Sequence, residues 1–119
     1  MLNYQQSSGQ LWLDNTLIGT GYSGYQSGKN NPADEAVPFL GPIPCGRYRI
    51  GTKYDSSRVG PICLPLTPLG HTAHGRTDFL IHGDSRKHPG EASRGCIILP
   101  RYVRQWIIDE KHSNLLVTP

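Results

Sequence analysis

Helical periodicity occurs in one place in this chain. In "PRYVRQWIIDEKH", residues 100–112, Val103, Trp106 and Ile107 recur at helical spacing, with Tyr102 a weaker fourth position. Pro100 opens the segment, and Lys111 and His112 sit near its C-terminal end, where the helix dipole favours cations. A chain of 119 residues with a single helix must build most of its core from strands. The composition agrees: 14 glycines and 10 prolines cut the sequence into short pieces, and only 18% of residues are charged. The expected fold is mainly β: a mostly antiparallel sandwich or barrel-like pair of sheets with one helix near the C-terminus. It forms a single domain over residues 1–119, without internal repeats. The stripe on the helix reads as core packing.

Turn residues divide the remainder. Residues 2–6 and 10–18 form a hairpin around "SSG", with a second turn at Asp14-Asn15. Residues 19–36 are a long Gly/Ser/Asn-rich loop, and its tyrosines, Tyr22 and Tyr25, argue against a mere linker. Residues 38–51 hold a turn at Gly41-Pro42 and a strand alternating through Tyr48 and Ile50. Residues 61–67, "PICLPLT", are broken by prolines and read as an edge strand. Residues 70–78 are a polar loop, 79–82 a strand ending at His82, 83–95 a polar loop, 96–99 a strand-like segment, and 114–118 a final strand.

Several classes of function lose support. The net charge of +3 is mild and no block of five Lys/Arg occurs, so neither nucleic-acid binding nor a polybasic membrane surface is expected. No run of eighteen apolar residues is present, so no membrane-inserted helix is expected. Met1-Leu2-Asn3-Tyr4-Gln5 lacks the basic and apolar regions of a signal peptide, so the chain is expected to be cytoplasmic in its producer and exported by another route. Three cysteines leave one thiol over after any pairing. Cys45 with Cys63 is the pairing that spares Cys96, and two structural free thiols are the equal alternative.

The chemistry concentrates in "FLIHGDSRKHPGEASRGCIILP", residues 79–100. A free thiol is mostly protonated at neutral pH, so a nucleophilic cysteine needs a base within reach. His82 at a strand end and Cys96 at the start of the next segment can supply that pair, with Gly83 and Gly95 allowing close approach. Backbone N–H groups around Gly95 and Cys96 can form an oxyanion pocket. Arg76 is a candidate for a substrate carboxylate. Arg94 either lowers the thiol pKa, binds a carboxylate, or is a surface residue. Asp84 either positions substrate, pairs with Arg94, or closes a loop turn. The alternative for Cys96 and His82 themselves is burial in strands without chemistry.

"IHG" followed by "SRGCI" resembles the signature of the L,D-transpeptidase catalytic domain, the YkuD-type family. "GYSGYQSGKNNP", "GPIPCGRYRIG" and "RTDFLIHGDS" extend the resemblance over nearly the whole chain, to the branch of antibacterial effectors delivered by the type VI secretion system. The resemblance implies an L,D-transpeptidase-like fold. It also implies a reaction on peptidoglycan stem peptides needing no cofactor and no metal. Cys96 is implied as the nucleophile forming a thioester, His82 as the general base, and the Gly83 carbonyl as the acceptor orienting the imidazole. Ser93 matches the Ser/Thr of the motif, Gly95 sits in the oxyanion turn, and Tyr22 and Ser23 belong to the cleft wall. Two positions depart: Arg94 stands for the usual histidine, and Ile98 for the usual arginine or asparagine. The implied setting is the periplasm of a target cell, with a cognate immunity protein and a delivery component of the secretion system as partners.

Other readings compete. A degenerate fold that binds peptidoglycan without chemistry would suit Arg94 and Ile98. A papain-like hydrolase would place cysteine before histidine, at a helix N-terminus, contrary to the order here. A zinc site from His71, His74, His82 and Cys96 rests on the short "HTAH" spacing alone.

Overall fold

The computed structural model describes all 119 residues. Ten strands run in the order β1 (Leu2–Gln5), β2 (Gln10–Leu13), β3 (Thr16–Thr20), β4 (Tyr22–Ser23), β5 (Gly46–Ile50), β6 (Tyr54–Ser56), β7 (Gly60–Leu69), β8 (Phe79–His82), β9 (Ile97–Ile98) and β10 (Asn114–Thr118). The single helix, α1, spans Arg101–Asp109. The strands join in one path, β3-β2-β1-β10-β5-β7-β8-β9-β4, with β6 attached to β7. Two neighbouring pairs are parallel, β1 with β10 and β8 with β9, and the rest are antiparallel.

The two ends of this path, β3 and β4, are separated in the chain only by Gly21, so the sheet nearly closes on itself. Of the two architectures expected, the chain adopts the barrel-like one. At the seam the Gly21 N–H donates to the Gly9 carbonyl at 2.8 Å. A Cβ on Gly21 would lie 1.6 Å from the Ile98 carbonyl oxygen, so only glycine lets the strands meet here.

Period-two alternation fills the interior. Leu2 and Tyr4, Tyr48 and Ile50, Leu64 and Leu66, Phe79 and Ile81, and Leu115 and Val117 point inward from their strands. Leu11, Ile43, Ala73, Ile97, Leu99, Val103 and Ile107 complete the same buried cluster. The opening hairpin, the Tyr48/Ile50 strand and the final strand form where the alternation places them.

Four elements differ from expectation. The 61–67 segment is not an edge: β7 is ten residues long and lies between β5 and β8. Its prolines are tolerated where no donor is needed. The Pro65 carbonyl accepts from Gly51 N–H at 2.8 Å, so its missing N–H faces the gap where β5 has ended and β6 has not begun. Pro68 lies beyond the β7–β8 ladder, which covers Leu64–Leu66. The 19–36 loop contains β4 and two short 3₁₀ turns, Gln26–Gly28 and Pro32–Asp34. β6 went unforeseen because its residues are largely exposed and carry no hydrophobic alternation. The helix stops at Asp109 rather than residue 112, and Tyr102, 67% exposed, is outside its packed face. Arg104 is buried there instead.

Candidate functional site

Two parallel strands carry the candidate pair. β8 and β9 align Ile81 with Ile97 and His82 with Ile98. Ile81 and Ile97 point into the core, so the alternate residues, His82 and Cys96 among them, fall on the opposite face. Cys96 immediately precedes β9, so the thiol and the imidazole of the neighbouring β8 fall on one face of the sheet. His82 is buried, and its Nδ1 lies 2.8 Å from the Gly83 carbonyl oxygen. A carbonyl only accepts, so Nδ1 carries the proton and Nε2 is left as the basic nitrogen. Cys96 is half-buried, and its Sγ lies 3.8 Å from the Asp78 carbonyl rather than in a hydrogen bond with His82.

Burial dominates the electrostatics of both groups. It pushes the Cys96 thiol up from its ordinary 9.0, against smaller opposing effects from a Leu80 backbone bond and the charges of Arg58 and Arg76. Burial pushes the His82 imidazole down from 6.5; the Gly83 bond opposes this and the Arg104 charge reinforces it. Both shifts favour the neutral form, thiol for Cys96 and imidazole for His82.

The turn before Cys96 is a closed hydrogen-bonded unit. Ser93 is fully buried; its hydroxyl donates to the Cys96 carbonyl at 2.6 Å and accepts from Gly24 N–H at 2.8 Å. It thus bridges β4 and β9 where a direct backbone bond would otherwise lie. It also accepts from Gly95 N–H at 3.1 Å. Ser23, fully buried too, donates to the Gly95 carbonyl at 3.2 Å and accepts from Ile43 N–H at 2.9 Å. Arg76 runs beneath the turn, donating to the carbonyls of Glu35, Pro42, Gly41 and Arg94 at 2.7–3.1 Å. Gly95 has φ +134°, and a Cβ there would meet the Arg76 Nη2 at 2.4 Å.

These contacts occupy four of the candidate residues. Ser93 and Ser23 are scaffold, with no surface to offer a substrate. Arg76 is occupied by four backbone carbonyls. The Gly95 N–H is taken by Ser93.

The 83–95 loop is held by a second unit. Tyr22 donates to Asp84 Oδ1 at 2.6 Å and accepts from Ala92 N–H at 2.9 Å. Asp84 also accepts from Ser85 N–H at 2.8 Å and Gly90 N–H at 3.1 Å. Of the roles open to Asp84, the loop turn is the one formed; no ion pair links it to Arg94. Tyr22 supports the loop through these two bonds and is not among the residues lining the cleft. The tyrosine on the cleft wall is Tyr25, with the Arg94 guanidinium 3.4 Å above its ring.

A cleft of about 930 Å³ opens beside His82 and Gly83. Arg94 lines it, and so do Arg58, Arg86, Arg101 and Arg104, none of which the motif marks. Arg104 is buried, donating to the carbonyls of Leu99, Pro61 and Ile62 at 2.7–3.0 Å. These residues are scattered in sequence and carry no spacing signal; a polar residue at a core-facing helix position was the one available hint, at Arg104.

The remaining cysteines and histidines lie elsewhere. Cys45 and Cys63 are both free thiols. His71 Nε2 lies 2.9 Å from the Arg47 carbonyl and His74 Nε2 2.8 Å from Glu35 Oε2, so "HTAH" does not converge with His82 and Cys96 on a metal.

No curated protein matches the chain. A family model, the Tlde1 domain, matches residues 18–118, from β3 to the end of β10, and so includes every site residue above. The chain belongs to the Tlde1 domain family, the L,D-transpeptidase-like toxins of type VI secretion effectors.

Proposed function

We propose that the chain is a cysteine acyltransferase acting on peptidoglycan stem tetrapeptides, as an L,D-carboxypeptidase, an exchange enzyme, or both. The observation that carries this reading is His82: its Nδ1 proton is held by the Gly83 carbonyl, so Nε2 is the acceptor, on the strand beside Cys96. Substrate entry excludes water and brings the thiol to the imidazole; bonds between a catalytic nucleophile and its base are often long in the free enzyme. Nε2 takes the thiol proton as Sγ attacks the carbonyl between the third and fourth stem residues. Imidazolium then protonates the leaving amine, the amide bond breaks, and terminal D-alanine departs, leaving a thioester on Cys96. Water or the amine of a D-amino acid attacks the thioester, Nε2 accepts its proton, and the thiol is restored. No cofactor or metal takes part in these steps. Ser93, Ser23 and Arg76 act in this scheme as positioning residues for the Cys96 turn.

In a target cell's periplasm either outcome removes or replaces the terminal D-alanine of the stem. A cognate immunity protein covering the cleft would protect the producer, and a component of the secretion machine would deliver the chain.

The test is mass spectrometry of tetrapeptide muropeptides incubated with the protein and with Cys96→Ala, with and without D-methionine. Loss of one D-alanine, or its replacement by D-methionine, dependent on Cys96, is the expected result. Unchanged muropeptides with the folded, reduced protein would leave a binding module without chemistry.

A further inference from the structure

The cleft beside His82 carries positive charge that the chain does not neutralise. Five of the eight arginines line it, and none of the four lysines does. They arrive from separate places: Arg58 from the turn between β6 and β7, Arg86 and Arg94 from the 83–95 loop, Arg101 and Arg104 from the start of α1. Two acids share the lining, Asp84 and Glu91. Asp84 is committed to Tyr22, Ser85 and Gly90, and Glu91 faces His88 at 3.7 Å. None of the chain's ion pairs includes an arginine.

The five differ in what they already hold. Arg104 is consumed by three carbonyls. Arg94 gives one N–H to the Glu91 carbonyl at 3.2 Å and lies against Tyr25. Arg58, Arg86 and Arg101 are exposed, and their side chains donate to nothing in the chain. Like charges gathered in a concave site repel one another and focus a positive field, which an anionic ligand relieves. The guanidinium fork matches carboxylate and phosphate geometry, where lysine supplies only a point charge. The cleft is near the upper end of small-ligand volumes, about 300–1,000 Å³, which suits a short peptide. Three free forks on separate elements suit carboxylates spaced along a chain; one compact phosphate would occupy only part of them.

We propose that Arg58, Arg86 and Arg101, flanked by the Arg94–Tyr25 stack, form a carboxylate-recognition wall that selects a peptide with two or more free carboxylates and lays it against His82. The identity of that peptide rests on the acyl-transfer reading; its anionic character rests on the cleft alone.

Calorimetric titration of the Cys96→Ala protein, which cannot turn over, tests this with three probes. They are a synthetic stem tetrapeptide with free carboxylates, the same peptide with every carboxylate converted to a primary amide, and inorganic phosphate. The acid peptide is expected to bind at least about tenfold more tightly than the amide, the scale of one charge-assisted contact. Arg58→Gln and Arg101→Gln should each weaken the acid peptide about tenfold and leave amide binding unchanged, with lysine restoring part of the loss. Both arginines are exposed, so unchanged melting of the variants checks that the fold persists. Equal affinity for acid and amide, phosphate binding as tight as the acid peptide, or Gln variants that bind like the parent would each overturn the wall. Acyl transfer fails separately, in the muropeptide assay: carboxylate selectivity without turnover keeps the wall and removes the chemistry, and turnover without selectivity does the reverse.

Discussion

Arg76 and Arg58 both bring positive charge toward Cys96, yet they do opposite work. Arg76 is buried and donates to four backbone carbonyls, fastening the turn that presents the thiol. Arg58 is exposed at the cleft and bound to nothing. The contrast extends to their surroundings. Around Cys96 nearly every polar group is satisfied within the chain; on the cleft side Arg58, Arg86 and Arg101 are exposed and their side chains donate to nothing in the chain. A reacting group must be held still before substrate arrives, whereas a recognition surface must keep its donors free for it.

Breaking the nucleophile side should have the largest effect. Cys96→Ala is expected to lower acyl transfer by about 10⁴-fold or more, and His82→Gln by about 10²–10⁴-fold, measured as product formation from tetrapeptide. The melting temperature of Cys96→Ala should stay near that of the parent, because the thiol is only half-buried and makes one weak contact.

Arg76→Ala should separate the two arginine classes by stability. It leaves buried carbonyls without donors and is expected to cost about 3 kcal/mol, read by denaturant unfolding. Arg58→Ala should change stability by less than about 0.5 kcal/mol, as expected of an exposed side chain without partners. Equal losses would erase the distinction.

Ser93→Ala should cost about 1–3 kcal/mol by unpairing Gly24 N–H, Gly95 N–H and the Cys96 carbonyl. If Ser93 positions the turn without touching substrate, kcat should fall while KM holds.

The pH profile should sharpen the account further. A depressed imidazole stays an unprotonated base as pH falls, so the acid limb of kcat/KM is expected below 6.5. A raised thiol stays protonated to above 9.0, so no basic rise from free thiolate is expected below that pH. An acid limb above 6.5, or a steady rise between pH 7 and 9, would indicate a different ionisation of the pair.

The same contrast explains what could be read without a structure. Alternation through Tyr48 and Ile50, the apolar runs ending at His82 and opening at Cys96, and the stripe on residues 100–112 are local patterns, and each formed the element it indicated. β7 misled because its prolines weaken a central strand unless their missing donors face gaps, and gaps depend on partners distant in sequence. Proximity to the motif does not say what a side chain holds: Ser93, Ser23, Gly95, Tyr22 and Arg76 all bond within the chain around the Cys96 turn and its loop. The free cleft arginines are brought together by a hairpin turn, a loop and a helix start, and no spacing in the chain announces that meeting.

The central claim is that Cys96 carries the acyl group, and quenched intact-protein mass spectrometry addresses it directly. The protein would be mixed with tetrapeptide, stopped in acid within the first turnovers, and digested to locate any adduct. The account predicts an added mass equal to the stem peptide without its terminal residue, held on Cys96 as a thioester and absent from Cys96→Ala. Product release by Cys96→Ala at the rate of the parent, or an adduct on another residue, would contradict it.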